Sequence, residues 1–235
     1  MVRQAHHVHD GEYMTTLLEA QNVKKWFGQS PSKTEVLKGV SLSIEAKSRV
    51  VILGASGAGK STLLHVLSGL EKADEGDVLF EGRSLKSFSD SELSSFRNTK
   101  VGFVFQFHHL MPEFTALENT AIPLLMRGES QAYEKARGCL VDLGLEHRLQ
   151  HRPSQMSGGE QQRVAMARAL VAHPQIIFAD EPTGNLDHEN SQKLLDLLLK
   201  ANQERGVALV VVTHNQDLAK SFSQIIRLDD GKIQR

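Results

Sequence analysis

The chain has 235 residues, with 27 basic against 28 acidic side chains and a formal net charge of −1, enough length for one large domain or a domain with a subdomain. Such a balance leaves no electrostatic footprint for a polyanion, which sets nucleic acid aside as a partner. One cysteine, Cys139, forbids an internal disulfide, and without a secretory leader the sequence reads as a protein of the reducing cytoplasm.

The longest purely apolar run, residues 207–212, falls far below the ~18 residues of a spanning helix, so any service to a membrane is expected through another chain. Residues 1–14 are His-rich and aperiodic. His6, His7 and His9 are of a type that binds metal, but the expectation is a disordered tail, with Met14 a candidate natural start.

Residues 17–23 and 36–44 read as strands separated by a loop over 27–32. Strands this early predict an antiparallel flap beside a parallel core. Trp26 and Phe27 close the first strand, and local pattern leaves open whether an aromatic there stacks on a purine or fills the core.

Val50-Val51-Ile52-Leu53 reads as a buried strand and Leu63-Leu64-His65-Val66-Leu67 as a buried helix. Between them stands Gly54-Ala55-Ser56-Gly57-Ala58-Gly59-Lys60-Ser61-Thr62, a match to G-x-x-x-x-G-K-[ST] in the strand-to-helix context a phosphate loop requires. Glycines let the backbone close around phosphate oxygens, so that consecutive N–H groups and the positive end of the helix point at one anion. Lys60 adds a cation for the β- and γ-phosphates, and the Ser61 hydroxyl is placed to ligate Mg²⁺.

Residues 77–80 predict another flap strand before the turn Glu81-Gly82-Arg83, residues 90–96 a helix, and residues 101–105 a strand ending at Gln106, which by itself reads as a surface residue. Helical spacing recurs over 115–126, 131–143 and 159–171, a helix-rich block expected to form a subdomain over about 107–172. Cys139, among Ala136, Leu140 and Leu143, reads as a buried, inert thiol. In the third helix Val164, Ala167 and Val171 share a face, while Gln161, Gln162 and Arg168 decorate others. Its start, Ser157-Gly158-Gly159-Glu160, is either a second anion site or an ordinary N-cap with acidic support, and local physics favours the cap.

Residues 175–179 predict a buried strand delivering Asp180 and Glu181 to its C-terminal end, where open α/β sheets place their ligands. Neighbouring side chains at a strand end face opposite ways, so Asp180 can support the Mg²⁺ shell while Glu181 orients the water attacking the γ-phosphate. Asp187 follows in a turn, then a helix marked by Leu194, Leu198 and Ala201, and a strand over 207–212 ending at Thr213-His214. That position makes His214 a γ-phosphate sensor candidate. A strand over 225–228 and the turn Asp229-Asp230-Gly231-Lys232 close the chain.

The phosphate loop, Gln106, Met156-Ser157-Gly158-Gly159-Glu160-Gln161, Asp180-Glu181, the turn ending at Asp187 and His214 resemble, in order, the motifs of the ATP-binding cassette (ABC) ATPases from about Leu17 onward, which implies a nucleotide-binding domain over residues 15–235. The resemblance implies an α/β P-loop NTPase with a RecA-like core, an antiparallel β subdomain and an inserted α-helical subdomain, using ATP and Mg²⁺. It adds Gln106 to Ser61 and Asp180 as metal ligands and to Glu181 and His214 as catalytic groups. Phe27 aligns with the family's adenine-stacking aromatic, where tyrosine is commoner.

The family further implies that Ser157 and Gly159 contact ATP held by a second copy's phosphate loop, in a head-to-tail dimer. Met156 for leucine and Glu160 for glutamine are small departures. Residues 105–119, Phe-Gln-Phe-His-His-Leu-Met-Pro-Glu-Phe-Thr-Ala-Leu-Glu-Asn, with residues 182–187, resemble the ATPase subunits of lipoprotein-releasing systems. That implies a peripheral place on the cytoplasmic face of the inner membrane, held by separate permease subunits. ATPases of macrolide-type exporters and of cell division share the second string.

Overall fold

The computed structural model describes residues 15–28 and 33–234. The expected tail over 1–14 and residues 29–32 of the expected loop lie outside the described residues.

β1 (Thr16–Phe27) pairs antiparallel with β2 (Thr34–Glu45) and with β4 (Glu75–Phe80), which pairs with β5 (Arg83–Ser84), giving a sheet of order β2-β1-β4-β5. This is the antiparallel flap the sequence predicts. β1 runs beyond residue 23 because a bulge at Asn22, with φ +49°, shifts the register between Ala20 and Val23 and breaks the period of two. Gly76 accommodates that bulge, since a Cβ there would lie 2.2 Å from the Asn22 carbonyl oxygen.

The second sheet has the order β10-β9-β3-β8-β7-β6, built from β3 (Arg49–Leu53), β6 (Val101–Phe105), β7 (Ile176–Asp180), β8 (Ala208–Thr213), β9 (Gln224–Asp229) and β10 (Lys232–Gln234). Its strands run parallel except β10. The central strands are continuous apolar runs because both faces are covered. Val50 and Ile52 pack with α1 (Lys60–Leu67), Leu18, Ile44 and Phe178 on one side. Val51 and Leu53 pack on the other with Met166 of α5 (Gly158–Leu170) and Leu194 of α6 (His188–Arg205).

Residues 107–172 contain α3 (Ala116–Leu125), α4 (Ala132–Asp142) and α5, after α2 (Asp90–Thr99). α2, α3 and α5 each open with a capping box, Ser89 with Glu92, Thr115 with Glu118 and Ser157 with Glu160. Asn119 is fully buried: its amide nitrogen reaches the carbonyls of Met111, Phe114 and Thr115, and its oxygen accepts from Met111 N. One side chain thus ties the loop over 111–115 into a fixed shape.

Parallel register sets the functional edge. Leu53 stands beside Thr213, Asp180 beside Val212 and Phe105 beside Asp180, so the exits of β3, β6, β7 and β8 share one rim.

Candidate nucleotide-binding and hydrolysis site

The phosphate loop leaves this rim after Leu53. A Cβ at Gly54 would meet the Leu228 carbonyl oxygen at 2.3 Å, so only glycine lets the loop pass β9. Gly59 takes φ +96° as the residue preceding α1, a conformation that costs glycine nothing. Gly231 N donates to the Ala58 carbonyl at 3.1 Å, and Lys38 N donates to the Gly231 carbonyl at 2.9 Å. The turn before β10 thereby props the loop against β2.

Unlike α2, α3 and α5, α1 has no side-chain cap and no acid in its first turn. Its N–H groups and Lys60 make an electropositive end suited to phosphate. Lys60 is 8% exposed, and its Nζ donates to the carbonyls of Gly54 and Ala55, each at 3.0 Å. Ala55, Ser56, Gly57 and Ser61 are exposed along the cradle, and Thr62 is half-buried.

Asp180 ends β7 against this cradle. Burial pushes its carboxyl above the usual carboxylate range, opposed by a hydrogen bond from Ser61 and then by the nearby His65 and Lys60. Its Oδ1 is buried without a hydrogen-bond partner, an acceptor left open beside the Ser61 hydroxyl. That donor set, a hydroxyl and a free carboxylate oxygen, fits a hard cation such as Mg²⁺.

Glu181 follows with φ +43°, turned out of the strand path while its N–H still bonds the Val212 carbonyl at 2.9 Å. Thr213 Oγ1 donates to Oε2 at 2.9 Å, Oε1 lies 2.9 Å from His214 Nδ1, and the same Oε1 is 3.9 Å from Lys60 Nζ. The structure therefore brings Lys60, Ser61, Asp180, Glu181 and His214 together.

Gln106 stands apart from the Ser61–Asp180 pair. Its Nε2 donates to Asn185 Oδ1 at 3.1 Å, and Asn185 Nδ2 returns a bond to the Gln106 carbonyl at 3.2 Å. A Cβ on Gly184 would sit 2.8 Å from that Nε2, so glycine admits the glutamine to the turn after Glu181.

Ser157 is the N-cap of α5, exchanging hydrogen bonds with Glu160. Burial acts to raise the Glu160 pKa, but hydrogen bonds from Ser157 and Arg148 outweigh it and hold it at about 2. Ser157 and Gly158 are nonetheless exposed, so the cap leaves this helix start open to a ligand. Gly159 is buried against α6, where a Cβ would lie 2.7 Å from Asn190 Oδ1. Asp187 caps α6 through Asn190 N at 2.8 Å, and hydrogen bonds from Asn190 hold its carboxyl below the usual range. Phe27 is 44% exposed, which removes it from the core and leaves its ring at the surface at the end of β1, with Lys25 Nζ 5.2 Å from the ring centroid.

Two residues expected to decorate α5 are structural ties instead. Gln162 is 1% exposed, and its Nε2 donates to the carbonyls of Phe105 at 3.0 Å and Pro182 at 2.8 Å, pinning the exits of β6 and β7. Arg168 donates to the carbonyls of His108 and His109, and His108 Nε2 lies 3.0 Å from the Gly158 carbonyl oxygen. The legible signal for Gln162 was its position three, four and seven residues before Ala165, Met166 and Ala169, all buried. Cys139 is buried, and burial pushes its thiol up.

A family model described as ABC transporter matches residues 37–184. The chain belongs to the ABC transporter family. It is 48% identical over 222 residues to the lipoprotein-releasing system ATP-binding protein LolD of Geobacter metallireducens, covering 94% of this chain and 99% of that relative. Its identity to the LolD protein of Syntrophus aciditrophicus is 50% over 219 residues, covering 92% and 98%.

Among solved structures, the dimeric bacterial ABC transporter cassette MJ0796 superposes with a TM-score of 0.86 at 40% identity, covering 93% of this chain and 97% of that one. A post-hydrolysis dimer of MJ0796 with ADP and phosphate bound gives the same values. The chain is accordingly an ATP-hydrolysing cassette of the P-loop fold with an antiparallel β subdomain. Among its described residues no helix is long and apolar enough to cross a membrane.

Proposed function

We propose that this ABC ATPase drives release of lipoproteins from the inner membrane, working as a dimer at its cytoplasmic face beneath permease subunits of the LolC/LolE kind. Residues 15–235 act as one nucleotide-binding domain. The observation that carries the hydrolytic reading is the Glu181 carboxylate, held by Thr213 and His214 at the rim where Lys60 emerges. Identity of 48–50% along more than nine-tenths of the chain to LolD proteins supports the lipoprotein assignment.

In the mechanism, the cradle from Gly54 to Thr62 and Lys60 neutralise and orient the triphosphate, while Phe27 offers its face to the adenine. Ser61 and Asp180 would hold Mg²⁺, joined by Gln106 once its amide turns from Asn185, and the ion would supply charge neutralisation for the phosphates. Glu181 accepts a hydrogen bond from the attacking water and orients it in line with the γ-phosphorus. His214, exposed and 2.9 Å from the same Glu181 oxygen that faces Lys60, holds Glu181 in place and senses the terminal phosphate. Ser157 and Gly159, with Asp187 nearby, cover the nucleotide held by the second copy.

Affinity purification from detergent-solubilised membranes tests the assignment. Recovery with a lipoprotein-releasing permease and cargo-stimulated ATP turnover is the expected outcome. Exclusive recovery with an exporter or cell-division permease would reject it.

A further inference from the structure

We infer that Thr213 is a positioning residue for ATP hydrolysis, holding the Glu181 carboxylate away from Lys60. The inference rests on the reading of Glu181 as the water-orienting carboxylate. Thr213 is 1% exposed at the last position of β8, beside Leu53, from which the phosphate loop departs. Its side-chain oxygen accepts from Asn215 N at 3.1 Å. A hydroxyl carries one proton, and with that acceptance fixed the proton has one destination in reach, Glu181 Oε2 at 2.9 Å.

The competing partner is close. Lys60 Nζ lies 3.9 Å from the other carboxylate oxygen, outside hydrogen-bond range but near enough for a small rotation to make a full ion pair. Such a pair would occupy both the oxygen meant for water and the cation meant for the γ-phosphate. His214 holds Oε1, but its side chain is 72% exposed and adapts to a ligand, whereas Thr213 is fixed in the packed strand. A hydrogen bond from a buried, immobile donor therefore sets the carboxylate's rotamer before substrate arrives.

The experiment measures steady-state turnover with MgATP and ATP binding for Thr213→Val, Thr213→Ser and Glu181→Gln in the complex with permease. The valine variant keeps shape and loses the donor, so kcat falls about 10- to 100-fold while KM moves less than about twofold. Serine restores turnover to within about threefold of wild type. The valine variant also accumulates the ATP-bound dimer, as Glu181→Gln does, an outcome that general loosening of the site does not produce.

Wild-type turnover in the valine variant, or a loss that serine does not relieve, overturns the inference while leaving Glu181 standing if Glu181→Gln is inactive. Wild-type turnover in Glu181→Gln overturns both. Thr213→Ala, with the same expected kcat loss and retained ATP binding, answers the question if valine does not fit the strand end.

Discussion

Two residues of opposite charge define what the pocket does, and they fail differently. Lys60, buried and bonded to the carbonyls of Gly54 and Ala55, is the cation that the proposed mechanism assigns to ground-state binding of the triphosphate. Lys60→Ala should weaken ATP affinity by about 10- to 100-fold, the worth of a charge-assisted hydrogen bond, as read by titration with a fluorescent nucleotide. Unchanged affinity would remove Lys60 from the cradle. On the proposed mechanism Glu181 orients the attacking water, so Glu181→Gln should leave affinity within about threefold of wild type while kcat falls by at least about 100-fold. The variant should also retain ATP in a stable dimer, visible by size-exclusion chromatography, because binding and closure survive the loss of the nucleophile's guide.

At the scale of elements, the start of α5 places its stabilising cap in the residues that the proposal assigns to ligand contact. Glu160 has a folded pKa of about 2 against an ordinary value of 4.5. A carboxylate depressed in the folded state contributes stability that is present above its unfolded pKa and lost as pH falls through the folded one. Wild-type thermal midpoints should therefore decline as pH drops from about 4.5 toward 2, and Glu160→Gln should flatten the part of that decline due to this cap, by calorimetry across the range. A parallel decline in both proteins would assign the acid sensitivity elsewhere. The loop over 111–115 depends on one buried amide, so Asn119→Ala should cost roughly 2–4 kcal/mol in urea unfolding, since it strands several backbone groups at once.

These elements also show where the sequence was legible. The Ser-x-x-Glu pattern, the glycine loop and the strand ending in Asp180-Glu181 are local signals, each spelled within a few residues; they give the cap, the phosphate loop and the acid pair, while the full fold is what the ordered motifs' resemblance to the ABC ATPases implies. Gln162 and Thr213 act over long separations in the chain, through hydrogen bonds to Pro182 and Glu181 that no periodicity encodes. Strand β1 was cut short because its bulge at Asn22 erased the alternation, and β10, only three residues long, has no pattern to recognise. The partnership of Gln106 with Asn185 likewise depends on how β6 and the turn after Glu181 meet in space.

On the scale of the whole molecule, the distribution of the motifs bears on how many copies act. The cradle, Asp180, Glu181 and His214 share one rim, but no hydrogen bond or ion pair among the described residues joins Ser157 or Gly158 to Lys60, Ser61 or Glu181. On the proposed reading, this capped, exposed helix start, with its own neighbours in Asn190 and His108, covers the pocket of a second copy. Two defective chains should then complement each other. Ser157→Arg blocks the covering surface and Lys60→Ala weakens the cradle, so at ATP near the wild-type Kd each alone should turn over little. A mixed dimer joins the intact cradle of the first to the intact cover of the second, restoring one of two pockets. With free subunit exchange, half the dimers are mixed, and the equimolar mixture should recover roughly a quarter of wild-type turnover if the pockets act independently. Coupling between pockets would suppress turnover but still leave one nucleotide trapped per mixed dimer, which labelled ATP would detect. A mixture that neither turns over nor retains nucleotide would mean that the pocket is completed within one chain.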